Sequence, residues 1–304
     1  MDAEYLRERI GELKRDRDAV ILAHNYQLGE VQDIADHVGD SLELSRIAAQ
    51  SPAGVIVFCG VHFMAETAAI LAPGKTVLLP VLDADCPMAR MADADALRRM
   101  KVRHPGAVVV CYVNTTAEVK AECDVCCTSA NAEKIVSQIP EDSEILFVPD
   151  RNLGHYVGAR TGRRMLLWPG HCPPHARIRP ADILAKKRIF PAAEVIVHPE
   201  CSAAVIALAD AVLSTGGMVR HARASRAREI IVGTEIGMIH RLQRENPATF
   251  FIAASEQAVC PNMKKITLTN VLQALERLQY RIEVPAEIAR RAEQAVNRMI
   301  AVSG

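Results

Sequence analysis

A chain of 304 residues, half of them hydrophobic and 24% charged, carries enough apolar mass for a sizeable buried core, which excludes a disordered or fibrous class. Equal numbers of basic and acidic residues give a formal charge of zero, and with no run of like charge this argues against nucleic-acid binding and polybasic membrane association. Nine cysteines, an odd number, occur in a chain with no membrane-length apolar stretch and a charged start in place of a secretory leader. They predict a cytoplasmic protein whose cysteines serve as thiols or metal ligands.

The opening segment MDAEYLRERIGELKRDRD reads as a charged amphipathic helix. Beyond it, one pattern is written three times, and such a repeat decides the architecture. The first unit has apolar runs of strand length at 19–23, 55–59 and 76–81, the second at 107–113, 144–148 and 164–168, the third at 194–198, 229–232 and 248–254. Runs of Val, Ile and Leu without polar alternation predict strands covered on both faces, hence parallel sheets. Intervening pieces such as 30–38 and 201–211 have helical spacing, and the tail (VLQALERL, PAEIARRAEQAVNRMI) is helical. The fold expected is α/β: three pseudo-threefold-related α/β/α repeats, each with a small parallel sheet, around a central site. Their spans are 1–87 with the N-terminal helix, 88–173, and 174–304 with the C-terminal helices.

Within each repeat, polar residues recur at fixed offsets. His24, Tyr112 and His198 end the first strands, accompanied by Tyr26, Asn114 and Glu200. Twelve residues on stand Asp36, Asp124 and Asp210, and seventeen on stand Ser41, Ser129 and Thr215. Ligands of open parallel sheets bind off the carboxyl ends of strands, which makes these positions candidates. The three hydroxyls are placed to cap helices, whose free N–H groups favour anions.

Cys86, Cys172 and Cys260 close the pattern, each followed by proline and set 86 and 88 residues apart. One thiol per unit predicts three thiols converging near the pseudo-axis, a metal site. The more conspicuous Cys123-x-x-Cys126-Cys127 is set aside, because Cys123 aligns with Ala35 and Ala209, and Cys126 with Val38 and Val212, which are core positions. Cys111 aligns with Ala23 and Val197 in the same way. Three thiolates suit either zinc, with His175 or His171 as a fourth ligand, or an iron–sulfur cluster with one iron open to substrate. The strand-end His, Tyr and Glu residues favour the cluster.

Eight ordered motifs give a resemblance: AHNYQ (23–27), GDS (39–41), YVNT (112–115), CCTSAN (126–131), HPEC (198–201), LSTGGM (213–218), GTE (233–235) and CPNMK (260–264). They resemble those of the quinolinate synthase family, iron–sulfur enzymes of NAD biosynthesis, over about residues 19–270. The resemblance implies a transferase-type condensation of iminoaspartate with dihydroxyacetone phosphate to quinolinate, phosphate and two waters. It implies a [4Fe–4S] cluster on Cys86, Cys172 and Cys260, acting as Lewis acid in dehydration. Glu200, Tyr26 and His198 would be catalytic, and His24, Ser41, Tyr112, Asn114, Ser129, His175, Ser214 and Thr215 would bind substrate. The implied partners are the small-molecule substrates, L-aspartate oxidase and the iron–sulfur assembly machinery. Two positions depart from the family pattern: Asp85 where a glycine is expected, and Pro174 where an aliphatic residue is.

Overall fold

Apolar runs with no polar alternation become the two inner strands and one edge strand of each of three four-stranded parallel sheets. The computed structural model describes residues 2–302; Met1, Ser303 and Gly304, at the ends of the outer units, lie outside it. The first sheet holds β1 (Ala19–His24), β2 (His37–Gly39), β3 (Val55–Cys59) and β4 (Thr76–Leu78). The second holds β5 (Val108–Tyr112), β6 (Val125–Cys127), β7 (Ile145–Val148) and β8 (Leu166–Leu167). The third holds β9 (Glu194–Val197), β10 (Ala211–Val212), β11 (Glu229–Gly233) and β12 (Phe250–Ala253). The strand orders, β2-β1-β3-β4, β6-β5-β7-β8 and β10-β9-β11-β12, are one topology repeated three times.

Both faces of each sheet are covered. In the third sheet, Val195, Val197 and Ile231 pack into one cluster while Ile196, Ile230 and Val232 pack into another on the opposite face. That division reflects the two-residue alternation of strand side chains. A larger cluster unites the first two sheets with the terminal helices. The helix Leu268–Arg277 lies against the N-terminal helix Ala3–Asp16, and Ala286–Ala301 crosses β6. Asn131 and Arg46 fasten the end of that last helix by donating to the carbonyls of Met299 and Ile300.

Each sheet has one strand more than the apolar runs predict. The segments 30–38 and 201–211 stay helical only through Ile34 and Ile206, then turn into the edge strands β2 and β10. The repeated aspartates explain the switch. Asp36, Asp124 and Asp210 each accept the N–H of a central-strand residue, Ile21, Val109 and Val195, at 2.8 Å. Their own N–H groups donate to the carbonyls of those same residues. A side chain and a main chain thus exchange two bonds with one residue, which fixes the register of a strand too short to hold itself.

Gly170 is required by a close approach between the second sheet and the loop beyond it. A Cβ at this position would lie 2.5 Å from the Pro149 carbonyl oxygen, and Gly170 itself bridges Asp150. Gly170→Ala is expected to cost about 1–3 kcal/mol, as for other overpacked interiors. The check is a lowered midpoint in chemical unfolding with an unchanged slope.

Candidate active site

The carboxyl ends of the three sheets face one cavity, with about 740 Å³ of empty volume including its opening. Thirteen of the fourteen site residues expected from the sequence line it, which can be counted from its lining: His24, Tyr26, Ser41, Cys86, Tyr112, Asn114, Ser129, Cys172, His175, His198, Glu200, Thr215 and Cys260. Ser214 does not. Its hydroxyl is turned into the protein, accepting the Gly217 N–H at 3.1 Å as the cap of the helix Thr215–Ala224.

The expected capping role of the three hydroxyls is therefore corrected. Ser41 is the first residue of the helix Ser41–Gln50, capped by Asp40, whose Oδ1 accepts from Leu42 and Glu43. Thr215 likewise comes just after its cap, Ser214. Ser129 lies in a turn ahead of the helix Ala132–Ser137. An extended residue must precede the first helical turn to aim its side chain back at free N–H groups, so in the first and third units the cap falls one residue earlier, while in the second Asn131 holds the cap position. Asp40, Thr128 and Ser214 occupy equivalent repeat positions, and that offset was the signal for Asp40 and Thr128 as lining residues.

Glu200 is the centre of the polar network. Its carboxylate accepts from Tyr112 Oη at 2.5 Å, lies 2.7 Å from His175 Nδ1 and 3.8 Å from His198 Nδ1. Burial alone would raise this carboxyl, but His175, His198 and the Tyr112 hydroxyl outweigh it and hold it well below the ordinary carboxylate range. Burial lowers His24 and His198 to about 3, with Glu200 opposing only in part. An ionised carboxylate thus sits beside the neutral imidazole of His198 at physiological pH.

The backbone sets the tautomers of both strand-end histidines. The N–H of Tyr26 donates to His24 Nδ1 at 3.2 Å, and the N–H of Glu200 to His198 Nδ1 at 3.3 Å. Nδ1 is the acceptor in each, so Nε2 carries the proton. His198 Nε2 accordingly donates to Ser129 Oγ at 3.1 Å. His175 is wired differently. With Nδ1 facing the Glu200 carboxylate as donor, the neutral form of the ring takes Thr234 Oγ1 at 2.8 Å as donor to Nε2, which leaves Thr234 to accept from Tyr26 Oη at 2.6 Å. Tyr26, Thr234, His175 and Glu200 form one directed chain. Thr234 and Glu235 stand in the GTE motif but received no site role, because nothing but the folded distance links Thr234 to Tyr26; Glu235 lines the cavity.

The three cysteines share a local device. Each precedes a single helical turn: Met88–Arg90, Pro173–Ala176 and Met263–Lys265. The N–H groups of Met88 and Ala89 point at the Cys86 sulfur, that of His175 at Cys172, and those of Asn262 and Met263 at Cys260. Proline after the cysteine supplies a preset helical φ and removes a donor that the first turn would leave idle. Burial nonetheless pushes Cys86 up to about 12, Cys172 well above its ordinary value and Cys260 up. Thiols held this way ionise when a cation joins them, which is the behaviour of metal ligands. Asp85 adds no uncompensated charge, since it accepts the Cys86 N–H at 2.8 Å and pairs with Arg90 at 2.7 Å. Pro174 serves as a helical residue of the Cys172 turn.

The other six cysteines do not line the cavity, and all nine are unpaired. Cys111, Cys126 and Cys127 are fully buried strand residues, as the repeat alignment predicts for the first two. His171 also lies off the cavity, donating its N–H to Met91 Sδ at 3.4 Å. His175 stays within reach of the thiols, with Nδ1 3.1 Å from Cys172 Sγ. Ligand atoms of Cys172, His175 and Glu200 fall within 4.8 Å of one another.

Asp150, behind Glu200, is fully buried and caps the helix Arg151–Thr161 with Oδ1. Its Oδ2 has no hydrogen-bond partner among the described residues. Burial, then the charge of Glu200, raise its pKa to about 7, above the unfolded value of 3.8. A raised carboxyl pKa means the folded state binds the proton more tightly, so stability is greatest below the unfolded pKa and falls as pH rises through the folded one. Asp150→Asn keeps the cap and lacks the titration. Its unfolding midpoint is expected to fall less between about pH 4 and pH 8 than that of the parent chain.

Among the described residues no helix is long and apolar enough to cross a membrane. A family model described as quinolinate synthetase A protein matches residues 8–301. Among curated relatives, a protein named quinolinate synthase from Dehalococcoides mccartyi (strain BAV1) is 59% identical over 302 residues, 99% of this chain and 100% of its own. Proteins of the same name from Methanoregula boonei and Methanosarcina barkeri are 56% and 52% identical, each alignment covering 99% of both chains.

Proposed function

The chain belongs to the quinolinate synthetase A family, and from that membership we propose that it acts as a quinolinate synthase. The reaction proposed joins iminoaspartate to dihydroxyacetone phosphate, giving quinolinate, phosphate and two waters. The observation that carries the reading is a single cavity. It is lined by one thiol from each of three repeats and by a carboxylate held by Tyr112 and His175.

The three matched cysteine turns suit a [4Fe–4S] cluster with three protein ligands, Cys86, Cys172 and Cys260. When bound, such a cluster offers an open iron as Lewis acid to a substrate oxygen for dehydration. The remaining chemistry belongs to side chains. Glu200, ionised and in the cavity wall, takes a proton from substrate carbon during tautomerisation. The protonated carboxyl gives that proton back to the substrate at the neighbouring atom, while Tyr26 and Thr234 hold the His175 ring that orients it. His198 orients substrate with its ring stacked on His175 at 4.7 Å. His24, Ser41, Ser129 and Thr215 bind the anionic groups of the two substrates, the helix N-termini behind Ser41 and Thr215 adding favourable field. Asn114 presents a buried Oδ1 that has no partner among the described residues, an acceptor for a substrate donor. The units 1–87, 88–173 and 174–304, a cytoplasmic setting, supply of iminoaspartate by L-aspartate oxidase and loading by iron–sulfur assembly proteins belong to the same reading.

The grouping of Cys172, His175 and Glu200 favours one rival, a single zinc. Anaerobic purification, metal analysis and an assay with the two substrates decide. Iron and acid-labile sulfide at about four each per chain, with quinolinate formed, support the proposal. One zinc and no quinolinate overturn it.

A further inference from the structure

Glu235 is almost fully buried, and its carboxylate joins its own turn to the Cys260 turn and to Lys264. Oε1 accepts the Cys260 N–H at 3.1 Å and lies 2.9 Å from Lys264 Nζ. Oε2 accepts the Gly237 N–H at 2.7 Å and Lys264 Nζ at 3.0 Å. Lys264 donates another proton to the Tyr26 carbonyl oxygen at 2.5 Å, a bond that crosses from the third repeat to the first. Tyr26 is thereby tied at both ends, its carbonyl to Lys264 and its phenol to Thr234, the residue just before Glu235. The space is closed: a Cβ on Gly237 would lie 2.6 Å from Lys264 Nζ, and 2.8 Å from both Glu235 Oε2 and the Tyr26 carbonyl oxygen.

We propose that Glu235 and Lys264 are positioning residues, a latch that locks the Cys260 turn to the Tyr26 strand end so that neither moves alone. The inference rests on the reading of Cys260 as a metal ligand and of Tyr26 as substrate-facing. Cys260 stands on the loop that leaves the third sheet after β12. Its main-chain N–H and the ammonium four residues on both reach the one carboxylate. The latch therefore predicts that the metal end and the Tyr26 end loosen together.

A bare structural ion pair makes a different prediction. Removing one partner leaves a buried charge alone and destabilises, but replacing both by neutral groups of similar shape restores stability. The test compares Lys264→Met, Glu235→Gln and the double variant in the anaerobically reconstituted chain. Three quantities are read: iron release to a chelator, followed by loss of cluster absorption; KM for both substrates; and the unfolding midpoint of the metal-free chain. The latch predicts that the double variant regains its midpoint yet releases iron about tenfold faster, with KM raised by a similar factor. Iron release and KM at parent values in the double variant overturn it. Should Lys264→Met fail to fold, the double variant alone decides. Failure of the underlying reading looks different: the parent chain holds no iron, or Cys260→Ala keeps all of it.

Discussion

Alanine in place of Cys86, Cys172 or Cys260 is expected to take iron and sulfide from about four per chain to near none and to abolish quinolinate formation, while the polypeptide stays folded. The expectation of folding rests on placement. All three thiols lie at cavity walls just before single helical turns, outside the sheets, and pack against the main core cluster as partly buried neighbours, not as fully buried members. Cys126→Ala is the matched control. That thiol is fully buried in β6, pairs in register with Cys111 and does not reach the cavity. It should retain iron and lose about 1 kcal/mol of stability, the order expected for a small buried group removed from a packed strand. Metal analysis and a denaturant curve on the four variants separate the two classes of cysteine. Iron retained at parent level in any of the first three would remove that residue from the ligand set.

The same contrast shows what was legible before folding. The repeat fixed three units and three thiols because both depend on spacing along the chain, and spacing survives without coordinates. It also marked Asp36, Asp124 and Asp210 as equivalent without saying why, since their work is a pair of bonds to a residue fifteen positions earlier. The strands β2, β6 and β10 escaped notice because two or three residues cannot show a period. The caps of the first and third units fall one residue before Ser41 and Thr215, and that single step turned Ser214 inward and left Thr215 in the wall. Thr234, Glu235 and Lys264 were invisible as a group. They touch Tyr26 only across the seam between the first and third repeats, and no pattern internal to one repeat records a seam.

Glu200→Gln carries the other large effect, because it alters charge and proton direction while keeping shape. A glutamine oxygen still accepts from Tyr112, but its amide then faces His175 Nδ1. The ring must accept there, so Nε2 becomes the donor to Thr234, and Thr234 can no longer donate into it. The chain from Tyr26 is reversed and ends on a group with no basicity. Turnover is expected to fall about 10²–10⁴-fold, the range for losing a general base, with KM for both substrates within a small factor of the parent. Iron content decides what the loss means. If Glu200 is the base, the variant keeps its full iron complement on the three cysteines and loses turnover alone. If the carboxylate is instead a metal ligand with Cys172 and His175, iron and turnover fall together, in the same proportion, and the proton chain has no part in the reaction.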